Sequence, residues 1–580
     1  MAGDGIDLKP GSLFSRLVIG LSALALLLLL LKEGYELIVD PTLVAITLSG
    51  IGVVVVFTVV FDIIAARRAA SVRELRGLIP QTVLLLPIVL VAPDTALWGL
   101  CVFLRQGIIV VTALSRTRRF RRYMEQLQAH PAKVLVLSFF LVIAVGALVL
   151  TFPRATTDGM GADPIDAIFT STSATCVTGL ATLNTVEDQH EDKERQTFTP
   201  FGQFVILILI QIGGLGIMTL SAATVMIAGR RLALKSRALM QSLLDENSAQ
   251  ALRKTMKDIV VMTFMIEGIG ALVLTLRFWA LDIEFSQALW LGIFHSISAF
   301  CNAGFSLFGD SLMAYKGDWV INLTHMLLIS LGGLGFAVVT ALAASRTWKD
   351  GVVIGWNRLA LQIRLVLMVS LTLMVSGTIL YFFLEYDHSL AGLEVGEKLL
   401  ASFFQSVSFR TAGFNTVDVG EMSRAMLIVA CLFMFIGASP GSTGGGIKTS
   451  TVAVLFVSIR ASITGRSDVE LGRHTVNSKV VTRAISIVAI AFSWLMLGWV
   501  LLVLTQPELA LDVLLFEAVS ALGTVGLSMG ITSELNEVGK AIIIALMFVG
   551  RLGPLTIALA VGERQATRGF RYSEERIVVG

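Results

Sequence analysis

The sequence predicts an all-α, polytopic membrane protein. Three observations support this prediction: the composition, the number of long apolar segments and a fourfold internal repeat. Of the 580 residues, 55% are hydrophobic and 15% are charged, whereas about a quarter of the residues in a soluble domain carry a charge. A soluble globular enzyme is therefore excluded as the default. No basic run alternates with surface aromatic residues as a nucleic-acid groove would require, so no nucleic-acid partner is expected.

About twelve apolar segments approach the length of about 20 residues that a helix needs to cross the hydrocarbon core. None resembles a cleavable signal peptide, because no small-residue cleavage site follows the first of them. The four N-terminal segments lie near Leu17–Leu31, Leu43–Ala66, Leu78–Ala92 and Ala96–Leu114. Eight more lie near Val134–Phe152, Phe201–Ala228, Ile259–Leu281, Trp319–Ala344, Leu365–Leu384, Ala425–Ile459, Ala484–Thr505 and Ala541–Val561.

Lysine and arginine are distributed unequally between alternate loops, which indicates the orientation of the chain. One set of loops, which includes both chain ends, holds 32 of these residues, and the other set holds 8 together with 22 Asp and Glu. Short cytoplasmic loops accumulate basic residues. Both termini are therefore predicted to be cytoplasmic in a multi-pass protein of the cell (inner or plasma) membrane.

A short apolar stretch that ends in a small-residue turn occurs four times. The aligned turns are Ser173–Leu180, Ser298–Phe305, Val407–Phe414 and Ser520–Leu527. Each contains a glycine at the same place, namely Gly179, Gly304, Gly413 and Gly526, and each glycine follows a phenylalanine by ten positions, namely Phe169, Phe294, Phe403 and Phe516. The repeat unit is a membrane helix, a half-length apolar segment, a turn and a second membrane helix.

The half-length segments are too short to span and have basic-poor loops on both sides, so they are predicted to enter and leave the membrane on the outer side. Non-helical backbone at membrane depth is tolerated only when it is buried in protein or lines a water-filled cavity. Four such turns are therefore predicted to surround one axis, where backbone carbonyls can replace the hydration shell of an ion. Close packing of small residues is the alternative explanation of the glycines.

The aligned turns contain no Asp or Glu. A calcium or sodium pore built from an acidic ring is therefore disfavoured, and a carbonyl-lined site for a large monovalent cation is favoured. No catalytic constellation or paired metal ligands are visible, so an enzyme is not predicted, and no cofactor is expected in this chain.

These turns, with Arg410–Asn415 and Gly441–Lys448, resemble the Trk/Ktr/HKT superfamily of potassium transporters over about residues 133–562. The resemblance implies a central pore formed by four helix–pore loop–helix repeats, and potassium as the ion held in the filter, because all four filter positions are glycine. The implied filter residues are Thr175, Cys176, Val177, Thr178, Gly179, Cys301, Asn302, Ala303, Gly304, Arg410, Thr411, Ala412, Gly413, Gly523, Thr524, Val525 and Gly526.

A glycine-rich string interrupts the second membrane helix of the third repeat, and glycine at this density is expected to unwind it. The resemblance implies that this segment, at about Gly437–Gly446, is an intramembrane gating loop. The implied gate residues are Gly437, Gly441, Gly444, Gly445, Gly446, Lys448 and Arg551. For Lys448 and Arg551, the alternative to a role in the gate is that the side chain caps a backbone carbonyl or snorkels to the membrane interface.

The predicted domains are N-terminal membrane helices at 1–132, pore repeats at 133–228, 229–344, 345–460 and 461–562, and a cytoplasmic C-terminus at 563–580. The role of 1–132 is left open. The resemblance further implies a homodimer that binds a cytosolic ring of nucleotide-binding regulatory subunits of the RCK/KTN type. The basic linkers at 229–257 and 458–483, together with the C-terminal end, are candidate docking surfaces for that ring. Binding to lipid headgroups is the alternative role for them.

Two other functions stay open. A sodium-permeable or sodium-coupled relative would share the architecture and differ at the first turn. An inverted-repeat secondary transporter would need alternate repeats of opposite orientation, which reporters placed at 229–257 and 345–364 would detect.

Overall fold

The computed structural model describes residues 13–35, 40–68, 84–90, 96–115, 131–185, 197–233, 245–344, 359–466, 468–471 and 474–553. The predicted C-terminus at 563–580 lies outside these ranges. So does the acidic stretch at 187–194, and the basic linkers at 229–257 and 458–483 are described only in part. The described residues form helices almost throughout.

The chain divides into two compact units. The first consists of Met1–Pro131, Ala144–Ile168 and Leu183–Ile206, and the second of Ala132–Ile143, Phe169–Thr182 and Leu207–Gly580. The first predicted repeat thus contributes segments to both units.

The N-terminal part of the first unit is helical, as its apolar segments predict. Its helices are α1 (Leu13–Leu29), which continues as a π-helical turn at Leu30–Gly34, α2 (Pro41–Arg68), α3 (Leu85–Leu90) and α4 (Ala96–Ser115). Asp40 precedes α2, and its carboxylate accepts hydrogen bonds from the hydroxyl and the backbone N–H of Thr42. These bonds lower the pKa of Asp40.

The remaining helices follow the repeat unit that the sequence predicts. They are α5 (Pro131–Leu150), α6 (Pro164–Cys176), α7 (Pro200–Ala233), α8 (Asp245–Trp279), α9 (Phe285–Cys301), α10 (Trp319–Leu334), α11 (Phe336–Ala344), α12 (Leu361–Leu384), α13 (Val395–Ser408), α14 (Arg424–Phe435), α15 (Thr449–Ile463), α16 (Ser478–Thr505), α17 (Leu511–Gly523) and α18 (Glu537–Leu552). Helices α6, α9, α13 and α17, of 13 to 17 residues, are the four half-length segments, and we call them the pore helices.

Among the described residues, five helices are long and apolar enough to cross a membrane, and a sixth span is counted if α10 and α11 are one bent span. This is fewer than the twelve segments that the sequence predicts. One reason is that two predicted spans are interrupted: α10 and α11 meet at Gly335 with a bend of 103°, and residues 436–448 separate α14 from α15.

Two short strands depart from the all-α prediction. Glu470–Leu471 (β1) pairs antiparallel with His474–Thr475 (β2) between α15 and α16. The hairpin is too small to change the fold class, which is confirmed as an all-α membrane protein.

The core of the second unit is built around the pore helices. Phe169, Phe294 and Phe516 are completely buried, as expected from their shared position ten residues before a turn glycine. In the third repeat the aligned Phe403 is only half-buried, and its neighbour Phe404 takes the buried place. In the alignment of the four repeats, the third pore helix is therefore displaced by one residue. The buried phenylalanine precedes the turn glycine by nine positions in this repeat and by ten in the others.

Candidate functional site

The four turns share one backbone conformation. Each turn glycine has a positive φ, of 99° at Gly179, 72° at Gly304, 79° at Gly413 and 95° at Gly526. The residue two positions earlier also has a positive φ in every repeat, at Val177, Asn302, Thr411 and Thr524. Side-chain-bearing residues rarely adopt this conformation, so its recurrence at one position in four repeats marks a shared constraint. We call the four glycines the ring glycines.

The pore helices end in a way that produces this conformation. In repeats one, two and four, the N–H of the residue before the ring glycine donates to the carbonyl five residues earlier, for example Thr178 to Ser173 at 2.8 Å. This is the longer bond of a Schellman cap, which a left-handed residue makes possible. In the third repeat Ala412 donates to Ser408, four residues earlier, in agreement with the one-residue shift.

The ring glycines lie against one another in a closed cycle. A Cβ built on Gly179 would lie 2.5 Å from the carbonyl oxygen of Ala303, on Gly304 2.8 Å from that of Ala412, and on Gly413 2.5 Å from that of Val525. The cycle closes because a Cβ on Gly526 would meet the carbonyl oxygen of Thr178. The four turns therefore surround one point, and no side chain fits there. Each ring glycine thus lies beside the carbonyl oxygen that precedes the ring glycine of the next repeat.

A serine on each pore helix fixes the turn. In the first and fourth repeats the hydroxyls of Ser173 and Ser520 accept the N–H of the ring glycine, both at 3.1 Å. In the second repeat the hydroxyl of Ser298 donates to the carbonyl of Phe305 at 2.7 Å, and Ser408 donates likewise to Phe414 in the third. A serine hydroxyl thus holds every turn, as an acceptor in two repeats and as a donor in the other two.

The other predicted filter residues are buried around the ring. Thr175 and Cys176 end α6, Cys301 ends α9 and Gly523 ends α17. The hydroxyls of Thr175, Thr178, Thr411 and Thr524 are buried and have no hydrogen-bond partner within the described residues.

Arg410 is the charged residue among the predicted filter residues, and its side chain leaves the turn. Its Nη2 donates to the hydroxyl of Ser370 on α12 at 3.1 Å. The guanidinium therefore lies against the first helix of the repeat, and it is the backbone of Arg410 that belongs to the turn.

The segment between α14 and α15 forms a compact loop at residues 436–448, which we call the membrane loop. Its two ends pair with each other, since the N–H of Gly437 donates to the carbonyl of Ile447 at 2.9 Å. Gly441 and Gly446 have φ values of 75° and 65°, which only glycine adopts without strain. The unwinding that the glycine density predicts is thus observed over a slightly longer stretch than 437–446.

The membrane loop lies directly beneath the ring, on the side of the residues that precede the ring glycines. A Cβ on Gly444 would meet the hydroxyl of Thr411, and one on Gly445 would meet that of Thr524. The hydroxyl of Thr443 lies 2.8 Å from Oδ1 of Asn302. Sequence reasoning missed Thr443, whose partner lies 141 residues away and leaves no local pattern.

The two basic residues among the predicted gate residues, Lys448 and Arg551, both donate to carbonyls of the membrane loop. Lys448 is the last residue of the loop, and Arg551 lies on α18. Nζ of Lys448 donates to the carbonyl of Gly444 at 2.6 Å. Arg551 donates through Nη1 to the carbonyl of Thr443, and through Nη2 to that of Gly213 at 2.8 Å. The carbonyls that these two side chains cap are thus, with the exception of Gly213, carbonyls of the membrane loop. Arg551 links the fourth repeat to the loop and to the first repeat.

Glycines on three second helices allow close packing against the pore helices. A Cβ on Gly213, Gly332 or Gly550 would meet the carbonyl of Thr175, Phe300 or Leu522, respectively. Each of these carbonyls lies four residues before a ring glycine. These three glycines thus bring each of the three second helices onto the end of its own pore helix.

Two buried carboxyl groups near the pore helices were also missed by sequence reasoning. Glu267 on α8 accepts a hydrogen bond from Gln211 at 3.3 Å, and Glu517 on α17 accepts one from Thr532. Both residues are almost fully buried. The sequence feature that could have identified them is an acidic residue inside an apolar segment.

Comparison with known proteins supports the same architecture. A family model described as TrkH, a cation transport protein, matches residues 102–566, so the family region begins at 102 rather than at the expected 133. The chain is 38% identical to the Ktr system potassium uptake protein B of Bacillus subtilis over 452 residues, which are 78% of this chain and 97% of that protein. It is 35% identical to the potassium/sodium uptake protein NtpJ of Enterococcus hirae over 459 residues, with the same shares of 78% and 97%.

The fold is also found among solved structures. The crystal structure of the potassium transporter TrkH from Vibrio parahaemolyticus matches with a TM-score of 0.61 at 18% identity, and the match covers 84% of this chain and 97% of that one. The expectation of a transport protein rather than an enzyme is confirmed by the family match. The resemblance that the turns indicated is confirmed as well, and the chain belongs to the TrkH family of cation transport proteins.

Proposed function

We propose that the chain takes up potassium through a pathway that passes the ring glycines. The observation that supports this is the closed cycle of four positive-φ glycines, each beside a carbonyl oxygen of the next repeat. Carbonyl oxygens in such an arrangement can replace the hydration shell of a large monovalent cation. The aligned turns carry no carboxylate, and the guanidinium of Arg410 bonds to Ser370. The transported potassium ion is thus the ligand of the ring.

The membrane loop is the gate of this pathway. It lies against the residues that precede Gly413 and Gly526, and Arg551 and Lys448 bind its carbonyls. A loop in this position obstructs an ion that leaves the ring. Transport requires the loop to move. The bond from Arg551 ties the loop to the fourth repeat, and the bond from Lys448 joins two residues of the loop itself.

We extend this proposal to the oligomeric state, the orientation and the regulation of the protein. The protein works as a homodimer in the cell membrane with both termini in the cytoplasm, and a cytosolic nucleotide-binding ring regulates it. The homodimer and the ring follow from the resemblance to the Trk/Ktr/HKT superfamily, and the distribution of basic residues supports the orientation of the termini.

Flux into liposomes tests the proposal. Purified protein is reconstituted, and uptake of potassium and of sodium is compared under an imposed membrane potential. We expect potassium to be taken up in preference to sodium, and deletion of Gly441–Gly446 to raise the uptake without activation. Equal uptake by protein-free vesicles would exclude a transport pathway, and unchanged uptake after the deletion would exclude the gate.

A sodium-permeable pathway is the second candidate, because the relative NtpJ is named a potassium/sodium uptake protein. The same liposomes distinguish the two. Comparable rates for both ions would establish the second candidate.

A further inference from the structure

We propose that Thr443 is a positioning residue that latches the membrane loop to the ring through Asn302, so that the loop cannot move without releasing the second turn. The inference rests on the proposed function. It assigns to one buried pair the coupling between gate and ring.

Thr443 has a partner outside the loop for each of its polar groups. Its N–H donates to the carbonyl of Gly332 at 3.2 Å, and its carbonyl accepts from Arg551. Its hydroxyl lies 2.8 Å from Oδ1 of Asn302 and 3.2 Å from the carbonyl of Phe300. The side chain is 1% exposed. A residue in the third repeat is therefore held by the second and the fourth repeats at once.

Asn302 transmits this contact to the ring. It lies two residues before Gly304, with a φ of 61°, and asparagine tolerates that conformation better than most residues do. Its side chain is fully buried against the bend between α10 and α11, where a Cβ on Gly332 would lie 2.7 Å from Oδ1. The carboxamide is thus attached to the residue whose positive φ shapes the second turn, so a displacement of the carboxamide is transmitted to the backbone of that turn.

The donors and acceptors of the pair are compatible with a tight contact. A hydroxyl carries one proton, and two acceptors face that of Thr443, whereas Nδ2 of Asn302 has no partner within the described residues. A half-turn of the carboxamide exchanges Oδ1 and Nδ2, which cannot be told apart by shape. In that orientation Nδ2 donates to Thr443, and Thr443 donates to Phe300.

The other turns contact the loop differently. Thr411 and Thr524 occupy the place of Asn302 in the third and fourth repeats, and they touch Gly444 and Gly445. Their hydroxyls have no hydrogen-bond partner within the described residues, so these are packing contacts. Within that part of the chain, the hydrogen bond from this level of the turns to the loop is made by the second repeat.

The test combines Thr443→Val, which removes the hydroxyl at nearly constant volume, with Asn302→Gly, which removes the carboxamide and tolerates the positive φ. A net hydrogen bond corresponds to about a two- to tenfold change in an equilibrium. We expect each variant to raise potassium uptake without activation by about that factor, and the double variant to raise it no further than either alone. Thr443→Ser is expected to retain the wild-type rate.

Hydrogen exchange of the loop amides gives a second readout that does not depend on transport. Exchange over residues 436–448 should accelerate by about the same two- to tenfold factor in both single variants. Thr378→Val is the matched control, since the hydroxyl of Thr378 donates to Met374 of its own helix α12 at 2.7 Å. That variant should leave uptake and loop exchange unchanged.

The outcomes separate the two proposals. If wild-type protein takes up no potassium but loop exchange accelerates in the variants, the proposed function fails and the latch stands. If potassium is taken up and Thr443→Val behaves like Thr378→Val in both assays, or if the single effects add in the double variant, the latch is wrong.

Discussion

The four repeats are nearly equivalent at the ring and differ sharply beneath it, where the membrane loop lies. At the ring, every repeat contributes a positive-φ glycine and a positive-φ residue two positions earlier. Beneath it, α7 runs without a break, α10 bends into α11 at Gly335, α14 gives way to the membrane loop, and α18 ends at Leu552 beside Arg551. The four repeats thus share their conformation at the ring and differ below it.

The difference between the ring and the region beneath it agrees with the roles that we propose for them. In the proposed function an ion on the axis is surrounded by four turns, so a change in one turn distorts the cycle of contacts that all four share. The proposed obstruction needs only one element, which is the membrane loop of the third repeat. The second and fourth repeats contact that element through Gly332 and Arg551, and the first repeat contacts Arg551 through the carbonyl of Gly213.

The largest effect is expected from removing the charge that ties the lower level together. Arg551→Gln loses a charged hydrogen bond to the loop, and hydrogen bonds to charged groups contribute about 1.5–3 kcal/mol each. Unactivated potassium uptake should therefore rise by about ten- to a hundredfold. Arg277→Gln is the control, because that arginine pairs with Asp318 away from the loop. Unchanged or lower uptake in Arg551→Gln would show that the fourth repeat does not hold the gate.

The equivalence of the repeats at the ring is tested by serine at two ring positions. Gly179→Ser and Gly413→Ser each place a Cβ 2.5 Å from a carbonyl oxygen of the next turn. They also force a left-handed conformation that costs a side-chain-bearing residue about 1–2 kcal/mol. We expect both to lower the preference for potassium over sodium by about five- to thirtyfold, measured as the ratio of uptake rates in liposomes.

Gly159→Ser is the control for that pair. Gly159 has a φ of 70° but open space around it, so the variant carries the backbone strain without the crowding. Its selectivity should equal that of the wild type. If only Gly179→Ser alters selectivity, the four turns are not equivalent.

A smaller effect is expected where the loop packs against the turns. Gly444→Ala adds a methyl group against Thr411, and overpacking of this kind costs about 1–3 kcal/mol. The loop should be displaced, and unactivated uptake should rise by about fivefold, the lower end of that range. Gly268→Ala on α8 meets no atom within 4 Å and should behave as wild type. Reduced uptake in Gly444→Ala would mean that the methyl group seals the pathway instead.

The smallest effect concerns the opposite ends of the second helices, which the repeats again share. Asp318, Ser423 and Asn536 cap α10, α14 and α18, each by accepting a backbone N–H of the first turn. Asn536→Ala should lower the free energy of unfolding by about 1 kcal/mol with selectivity unchanged, as measured by thermal denaturation in detergent and by flux. A change in selectivity would show that this end of the helix influences the ring.

Much of this arrangement is predictable from local pattern. The pore helices, the four glycines and the unwound segment near Gly437–Gly446 leave signals in hydropathy, spacing and glycine density. Helix length and backbone freedom are local properties, so each of these features leaves its signal in the segment that forms it.

Other features have no local signal. The direction of the Arg410 side chain, the register of the third pore helix and the selection of Thr443 all depend on partners from other helices. The positive φ of Val177, Thr411 and Thr524 runs against the preference of these residues, so propensity alone would not predict it.

The sequence by itself therefore determined that this chain is a membrane protein with four equivalent turns and one interrupted helix, because hydrophobic length, charge asymmetry and glycine spacing are written along the chain. Only the tertiary structure decided that the turns close into one cycle and that Thr443 lies between Asn302 and Arg551. These contacts join residues more than 100 positions apart, and they form only when all four repeats are packed together.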